Sequence, residues 1–265
     1  MDRLIGLSGD DRFHVDSASD VVVEGLGGGN DRVYSSVTYV LATGQHVEML
    51  STSDSSGTVA ISLTGNSYSQ TLIGNAGNNR LTGGGGADKL IGHGGNDHYH
   101  VDSASDTVVE ADNGGTDRVF SSVSYTLGAG QRVETLSADD AHGTRGIALT
   151  GNSYAQTIIG NSGSNMLDGK GGSDTLVGGA GSDTFAFTSS LGATNRDRIL
   201  DFDASADRIA LDSNTFGGLT RGRLDTEVFA IGSAARETDD RIIYNPENGA
   251  LLFDADGAGG GHRGG

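Results

Sequence analysis

The stretch "GNAGNNRLTGGGGADKLIGHGGNDHYH", residues 74–100, has a glycine at every ninth position, at Gly74, Gly83 and Gly92. An Asn or Asp follows five residues after each of these glycines, and a large apolar residue follows two residues later. Gly, Asn and Asp dominate the residues from each of these glycines to the Asn or Asp, and such residues favour turns. The period of nine therefore predicts repetitive β structure.

The composition supports this reading and excludes two other glycine-rich classes. The chain has 265 residues, of which 45 are glycine, one is proline and 35% are hydrophobic. Collagen requires glycine at every third position with abundant proline, and a disordered linker would lack regularly spaced Leu, Ile, Val and Phe. Repetitive β structure is the class that remains.

The charge of the chain points to cations as partners. The formal net charge is −18, from 35 acidic and 17 basic residues, which argues against binding to nucleic acid or anionic membranes. The absence of cysteine excludes disulfides and thiolate metal sites. No basic segment followed by an apolar run opens the chain, and no apolar stretch is long enough to span a bilayer. We therefore predict neither a Sec-type signal peptide nor a membrane span.

A second, longer period contains the first. An ungapped shift of 86 residues overlays 4–24 on 90–110 and 63–79 on 149–165, and more than half of the overlaid positions are identical. The second nonapeptide block reads "GNSGSNMLDGKGGSDTLVGGAGSDTFA" and ends at Ala186.

Both blocks follow the pattern G-G-x-G-x-D-x-U-x, in which U is a large apolar residue. The apolar positions are Leu81, Leu90, Tyr99, Leu167, Leu176 and Phe185. By this pattern the chain resembles the RTX, or hemolysin-type, calcium-binding repeat family. The resemblance implies an all-β fold, a right-handed parallel β-roll or β-solenoid with 18 residues per coil and a small β-rich C-terminal cap.

The resemblance also implies several calcium ions between stacked turns, bound by side-chain oxygens and backbone carbonyls. Calcium accepts 6–8 oxygen ligands with flexible geometry, and glycine permits the backbone angles of such turns. The expected side-chain ligands are Asp2, Asp11, Asn79, Asp88, Asp97, Asn165, Asp174 and Asp183. The expected carbonyls lie around Gly74, Gly77, Gly83, Gly86, Gly92, Gly95, Gly160, Gly163, Gly169, Gly172, Gly178 and Gly181.

Some turns depart from the pattern. Gln70 and Gln156 replace the acid, and a tyrosine replaces the glycine two residues before each of them. The site of Asp174, which faces the turn of Gln156, is therefore predicted to be weaker than the site of Asp183.

We predict six segments along the chain. They are a remnant of a repeat block (1–14), a solenoid spacer (15–64), the first repeat block (65–100), a second spacer (101–150), the second repeat block (151–186) and a C-terminal capping and secretion-associated segment (187–265). The strand-like pattern "SSVSYTL" predicts that the spacers add coils with wider loops. Solenoids need their open ends covered, which favours a cap.

The last segment resembles the region after the repeats in type I secreted proteins, including serralysin-type proteases. Such proteins end in an apolar tail, whereas this sequence ends in "GGGHRGG". We therefore expect a truncated end without a working secretion signal.

No P-loop, H-E-x-x-H or nucleophile-elbow pattern is present, so we predict that this chain is not an enzyme. The leading hypothesis is a non-catalytic β-roll of an extracellular, secreted bacterial protein, whose calcium-coupled folding supports type I secretion and extracellular stability. Two alternatives stay open. The chain is either an accessory module of a secreted hydrolase, metalloprotease or mannuronan C5-epimerase whose catalytic domain lies upstream, or an adhesin segment. Calcium, the type I secretion machinery and polysaccharide are the expected partners.

Overall fold

The computed structural model describes residues 1–110, 112 and 114–256. The fold is all-β, and over these residues the one helical element is a 3-10 turn at Thr226–Val228. None of the described residues lies in a helix that is long and apolar enough to cross a membrane. Parallel strands, each two to four residues long, coil into a β-solenoid with two walls.

The first wall consists of odd-numbered strands, which pair only with one another. These strands form a two-stranded sheet and a nine-stranded sheet. They are β1 (Arg3–Ile5), β3 (Val21–Val23), β5 (Tyr39–Val40), β7 (Ser62–Thr64), β9 (Arg80–Thr82), β11 (His98–Val101), β13 (Arg118–Ser121), β15 (Thr135–Ala138), β17 (Thr157–Ile159), β19 (Thr175–Val177) and β21 (Arg198–Ile199).

The second wall consists of the even-numbered strands, in a six-stranded and a five-stranded sheet. They are β2 (Arg12–Val15), β4 (Arg32–Ser35), β6 (Met49–Thr52), β8 (Thr71–Ile73), β10 (Lys89–Ile91), β12 (Thr107–Val109), β14 (Tyr125–Thr126), β16 (Ala148–Thr150), β18 (Met166–Asp168), β20 (Thr184–Phe187) and β22 (Arg208–Leu211). The chain thus crosses between the walls at every turn, and the turns form two opposite edges.

Each wall contributes a column of inward side chains to the space between the walls. In the first wall Leu63, Leu81 and Tyr99 lie in register on neighbouring strands, and all three are fully buried. The residues before and after each of them are at least partly exposed, because successive side chains of a strand point to opposite faces. Most strands thus contribute one large apolar side chain to the core, and turn residues such as Leu41 and Val133 add to it.

The 86-residue unit contains an odd number of strands. Strand β1 overlays β10 and strand β9 overlays β18, so nine strands separate equivalent positions. Each strand of the first copy therefore has its counterpart in the opposite wall, and each turn has its counterpart on the opposite edge. The sheets break at equivalent places, between β3 and β5 and between β12 and β14.

Both walls continue past the second repeat block. Strand β21 pairs with β19, and β22 pairs with β20, so solenoid strands extend into the segment 187–265. A three-stranded sheet follows, formed by β23 (Phe229–Ile231), β24 (Ile242–Asn245) and β25 (Ala250–Phe253). This sheet is the small β-rich C-terminal part, whereas the expectation about "GGGHRGG" lies outside the described residues.

Candidate metal centres

The acid that ends each repeat turn ties two coils together. Asp97 accepts the backbone N–H of Asn79, one coil earlier, with Oδ1 at 2.6 Å. Asp88 accepts the N–H of Gln70 in the same way at 2.7 Å. The second copy repeats both bonds, from Asn165 to Asp183 and from Gln156 to Asp174, each at 2.7 Å. The structure therefore brings together the four turn pairs that the 18-residue coil predicts.

The second oxygen of each of these aspartates has no protein partner. Oδ2 of Asp88, Asp97, Asp174 and Asp183 is buried and lacks a hydrogen bond within the described part of the chain. None of the ion pairs found among those residues includes any of the four. A buried carboxylate without a partner is unfavourable unless a cation compensates it. The four Oδ2 atoms are therefore available as ligands for a cation.

Turn glycines shape the space around these oxygens. A Cβ on Gly92 would collide with Oδ2 of Asp97, and a Cβ on Gly178 would collide with Oδ2 of Asp183. Gly83 and Gly169 stand in the same relation to Asp88 and Asp174. The glycines two residues before the acids have positive φ angles, namely Gly86 (119°), Gly95 (99°), Gly172 (103°) and Gly181 (116°). Glycine at both places keeps the turn open to an ion.

The two predicted amide ligands are engaged with protein groups. Oδ1 of Asn79 accepts the N–H of Asn75 at 2.7 Å, and Oδ1 of Asn165 accepts the N–H of Ile147 at 3.3 Å. The Nδ2 atom of Asn165 is hydrogen-bonded to four oxygens at 2.7–3.2 Å, one of them Oδ1 of Asp183. An amide nitrogen thus lies where several oxygens converge, so a ligand role for Asn165 requires its amide to reorient.

Asp2 and Asp11 each meet acids that the sequence reasoning did not single out. One carboxylate oxygen from each of Asp2, Asp16 and Asp20 lies within 4.8 Å of the others. Asp11 forms an equivalent cluster with Glu24 and Asp31.

The coil that follows each repeat block supplies further acids, which the sequence analysis missed. Asp106 accepts the N–H of Asp88 at 2.9 Å, and Asp117 accepts the N–H of Asp97 at 2.7 Å. In the second copy Asp197 accepts from Asp174 at 3.0 Å and Asp207 accepts from Asp183 at 2.8 Å. The separations are 18, 20, 23 and 24 residues. Only the first equals the coil length, so a search that tolerates longer turns is needed to find the others.

The crowding of acids changes their protonation. Burial, opposed in part by the hydrogen bonds from the preceding coil, raises the pKa of Asp88, Asp97 and Asp174 to about 7. Burial likewise raises the pKa of Asp117 to about 7, with a smaller contribution from the neighbouring Glu110. The pKa of Asp183 is raised, chiefly by burial. Without a cation, these carboxyl groups tend to keep their protons.

Comparison with protein families identifies the repeats. The RTX calcium-binding nonapeptide repeat (4 copies) matches residues 1–23, 64–99 and 150–185. These three stretches of the chain carry repeats of the calcium-binding class, which is consistent with an RTX repeat protein. No curated protein and no solved structure matches the chain.

Proposed function

We propose that Asp88, Asp97, Asp174 and Asp183 bind calcium ions between stacked turns and that this binding completes the folding of the chain. The observation that carries the proposal is the buried, unpartnered Oδ2 of all four aspartates against turn glycines. Calcium suits the site because it accepts carboxylate and carbonyl oxygens in flexible geometry, whereas Mg²⁺ demands near-ideal octahedral geometry and dehydrates reluctantly.

Folding and ion binding are coupled in this proposal. The strands are short and most contribute one large inward side chain to the core, and the acids of neighbouring coils repel one another when ionised. A chain of this kind is largely unfolded where calcium is scarce and folds where calcium is abundant.

This behaviour suits export through a type I secretion system and stability outside the cell. RTX repeats are typical of secreted bacterial proteins. The absence of cysteine supports the same proposal, because calcium can then supply the stabilisation that disulfides give many extracellular proteins.

The test is circular dichroism of the full chain in excess chelator, then during a calcium titration, with direct measurement of bound calcium. We expect a largely disordered spectrum that becomes β-rich with calcium and responds poorly to Mg²⁺. A β-rich spectrum in chelator together with no bound calcium would contradict the proposal.

A further inference from the structure

Two clusters of three acids differ from the repeat pattern. The first, Asp11, Glu24 and Asp31, is here called the first trio, and the second, Asp97, Glu110 and Asp117, is called the second trio. In each trio one carboxylate oxygen per residue lies within 4.8 Å of the others. The trios occupy equivalent positions in the two 86-residue copies and therefore lie on opposite edges of the solenoid.

The glutamate of each trio begins an unusual turn. The turns "EGLGGGND" (24–31) and "EADNGGTD" (110–117) have eight residues instead of six and begin with Glu where the repeat has glycine. The Glu24 side chain folds back over its own turn. Its carboxylate lies so close to Gly28 that a Cβ on this glycine would collide with it. Gly114 stands in the same relation to Glu110. These turns thus place a third carboxylate where an ordinary repeat turn has none.

The first trio shows most clearly that carboxylates of different coils meet at one point. A Cβ on Gly6 would collide with both Oε2 of Glu24 and Oδ2 of Asp11. Glu24 is 2% exposed, and Asp31 is fully buried. Oε2 of Glu24 and Oδ2 of both Asp11 and Asp31 have no hydrogen-bond partner among the residues that the structure describes.

The second trio shares the proximity of its three carboxylates and the buried, unpartnered oxygens of its two aspartates. Asp97 and Asp117 are 0% and 1% exposed, and the Oδ2 atom of each lacks a hydrogen bond over the described ranges. In both trios, buried oxygens without partners lie inside a cluster of three acidic groups, which would carry three negative charges when ionised. Desolvation and mutual repulsion make such a cluster unfavourable unless a cation lies among the oxygens.

We propose that each trio binds one hard cation of the size of Ca²⁺, and binds it more tightly than the ordinary stacked turns do. The tighter binding follows from the third carboxylate, since the number of charged ligands tunes calcium affinity. This inference rests on the proposed function, because it assigns an additional site at the first trio to a chain that binds calcium and adds Glu110 and Asp117 to the site already proposed at Asp97. It makes the coil after a repeat motif part of the metal centre rather than a spacer.

The test compares calcium binding to the full chain and to the variants Glu24→Gln, Glu110→Gln and the double variant. Gln keeps the shape and a hydrogen-bonding oxygen but removes the charge. Glu247→Gln is the matched control, because Glu247 is exposed in the C-terminal part and loses the same charge. Stoichiometry and affinity are measured by competition with a calcium chelator of known affinity.

Each single variant is expected to lose one ion from the tightest class, or to bind it roughly tenfold or more weakly. The double variant is expected to lose two, and Glu247→Gln none. If the wild-type chain binds no calcium, the proposed function fails and this inference with it. If the wild type binds calcium and the tightest class is unchanged in the double variant, this inference alone is overturned.

A second measurement does not require removal of a carboxylate. The hydroxyl group of Tyr99 is hydrogen-bonded to Oε2 of Glu110 at 2.5 Å, and the chain has no tryptophan. Tb³⁺ in the second trio should therefore be sensitised by Tyr99 when tyrosine is excited. At low Tb³⁺ we expect Tyr99→Phe to lose a large part of the emission while keeping the calcium-induced β spectrum. Unchanged emission would overturn the assignment of the second trio.

Discussion

Tyr99 donates its hydroxyl hydrogen to Oε2 of Glu110, from the fully buried core of one coil to the turn of the next. Phe13 occupies the equivalent position in the first copy, where it has no hydroxyl group to offer Glu24. The two copies thus share a carboxylate trio but differ in one hydrogen bond to it.

Removal of that hydroxyl group should destabilise the calcium-loaded protein. Tyr99→Phe loses a hydrogen bond to a charged acceptor, a contribution of about 1.5–3 kcal/mol. Tyr125→Phe is the matched control, because the Tyr125 hydroxyl donates to a neutral carbonyl, that of Asp106, at 3.2 Å. Its expected cost is about 0.5–1.5 kcal/mol. Urea unfolding at a fixed calcium concentration measures both losses of unfolding free energy. A larger loss for Tyr125→Phe than for Tyr99→Phe would contradict the prediction.

Neutralisation of a repeat aspartate should weaken calcium-dependent folding. Asp174→Asn and Asp183→Asn keep the Oδ1 acceptor for the preceding coil but remove the charge at Oδ2. We expect both variants to need more calcium for folding and to lose about 1.5–3 kcal/mol of unfolding free energy at fixed calcium. Calcium titrations followed by circular dichroism give the midpoint, and urea unfolding gives the free energy.

Asp140→Asn is the control for this comparison, because Asp140 is exposed and its Oδ1 caps a local turn through the N–H of His142. Its calcium midpoint should match that of the wild type. Equal shifts in all three variants would mean that bulk negative charge, rather than coordination between turns, governs the response.

Two glycines of one turn should respond differently to alanine. A Cβ on Gly92 would collide with Oδ2 of Asp97 and the hydroxyl oxygen of Tyr99, whereas a Cβ on Gly94 would have its nearest neighbour at 3.7 Å. Gly92→Ala should therefore destabilise the calcium-loaded fold by about 1–3 kcal/mol through overpacking. Gly94→Ala should change little. Urea unfolding in calcium distinguishes the two, and a tolerated Gly92→Ala would argue against an ion space at this turn.

Acid should oppose calcium binding but favour the metal-free fold. The folded chain holds protons on Asp88, Asp97, Asp117 and Asp174 up to about pH 7, whereas unfolded aspartates release theirs near the ordinary value of 3.8. Between these values the folded state binds more protons than the unfolded state, so its metal-free stability falls as pH rises. In chelator, β content should therefore increase as the pH is lowered from about 8 to about 5.

In calcium the direction reverses, because protons compete with the ion for the same oxygens. The calcium midpoint for folding should rise as the pH falls through about 7. Titrations at several pH values and constant ionic strength check this, and a midpoint that does not depend on pH would exclude these carboxylates as ligands.

The repeat turns were predictable from sequence because glycine at a period of nine specifies both the backbone and the coil length. Gly83 lies in a turn, Asp88 ends that turn and bonds to the preceding coil, and Leu90 is the buried centre of the next strand, as the repeat predicts. The acids after the blocks were not found, because longer turns shift Asp117 and Asp207 out of the 18-residue register. Their positions follow from strand pairing, which a period search does not detect.

The ranking of Asp183 above Asp174 also depended on looking only at the preceding coil. The structure places Asp207 after Asp183 and Asp197 after Asp174, so each aspartate has an acid on the following coil. The two sites are therefore expected to respond more equally than the repeat pattern alone suggests. The orientation of the Asn165 amide was likewise not predictable, because it depends on four oxygens from several turns.

The odd number of strands in the 86-residue unit gives the solenoid an approximate twofold screw symmetry. Equivalent turns alternate between the two edges, so Asp88 and Asp183 lie on one edge and Asp97 and Asp174 on the other. An ion that drew neighbouring turns together would contract only the edge on which it lies. Because the duplication distributes the proposed sites over both edges, we expect calcium loading to contract both edges rather than to bend the solenoid towards one of them.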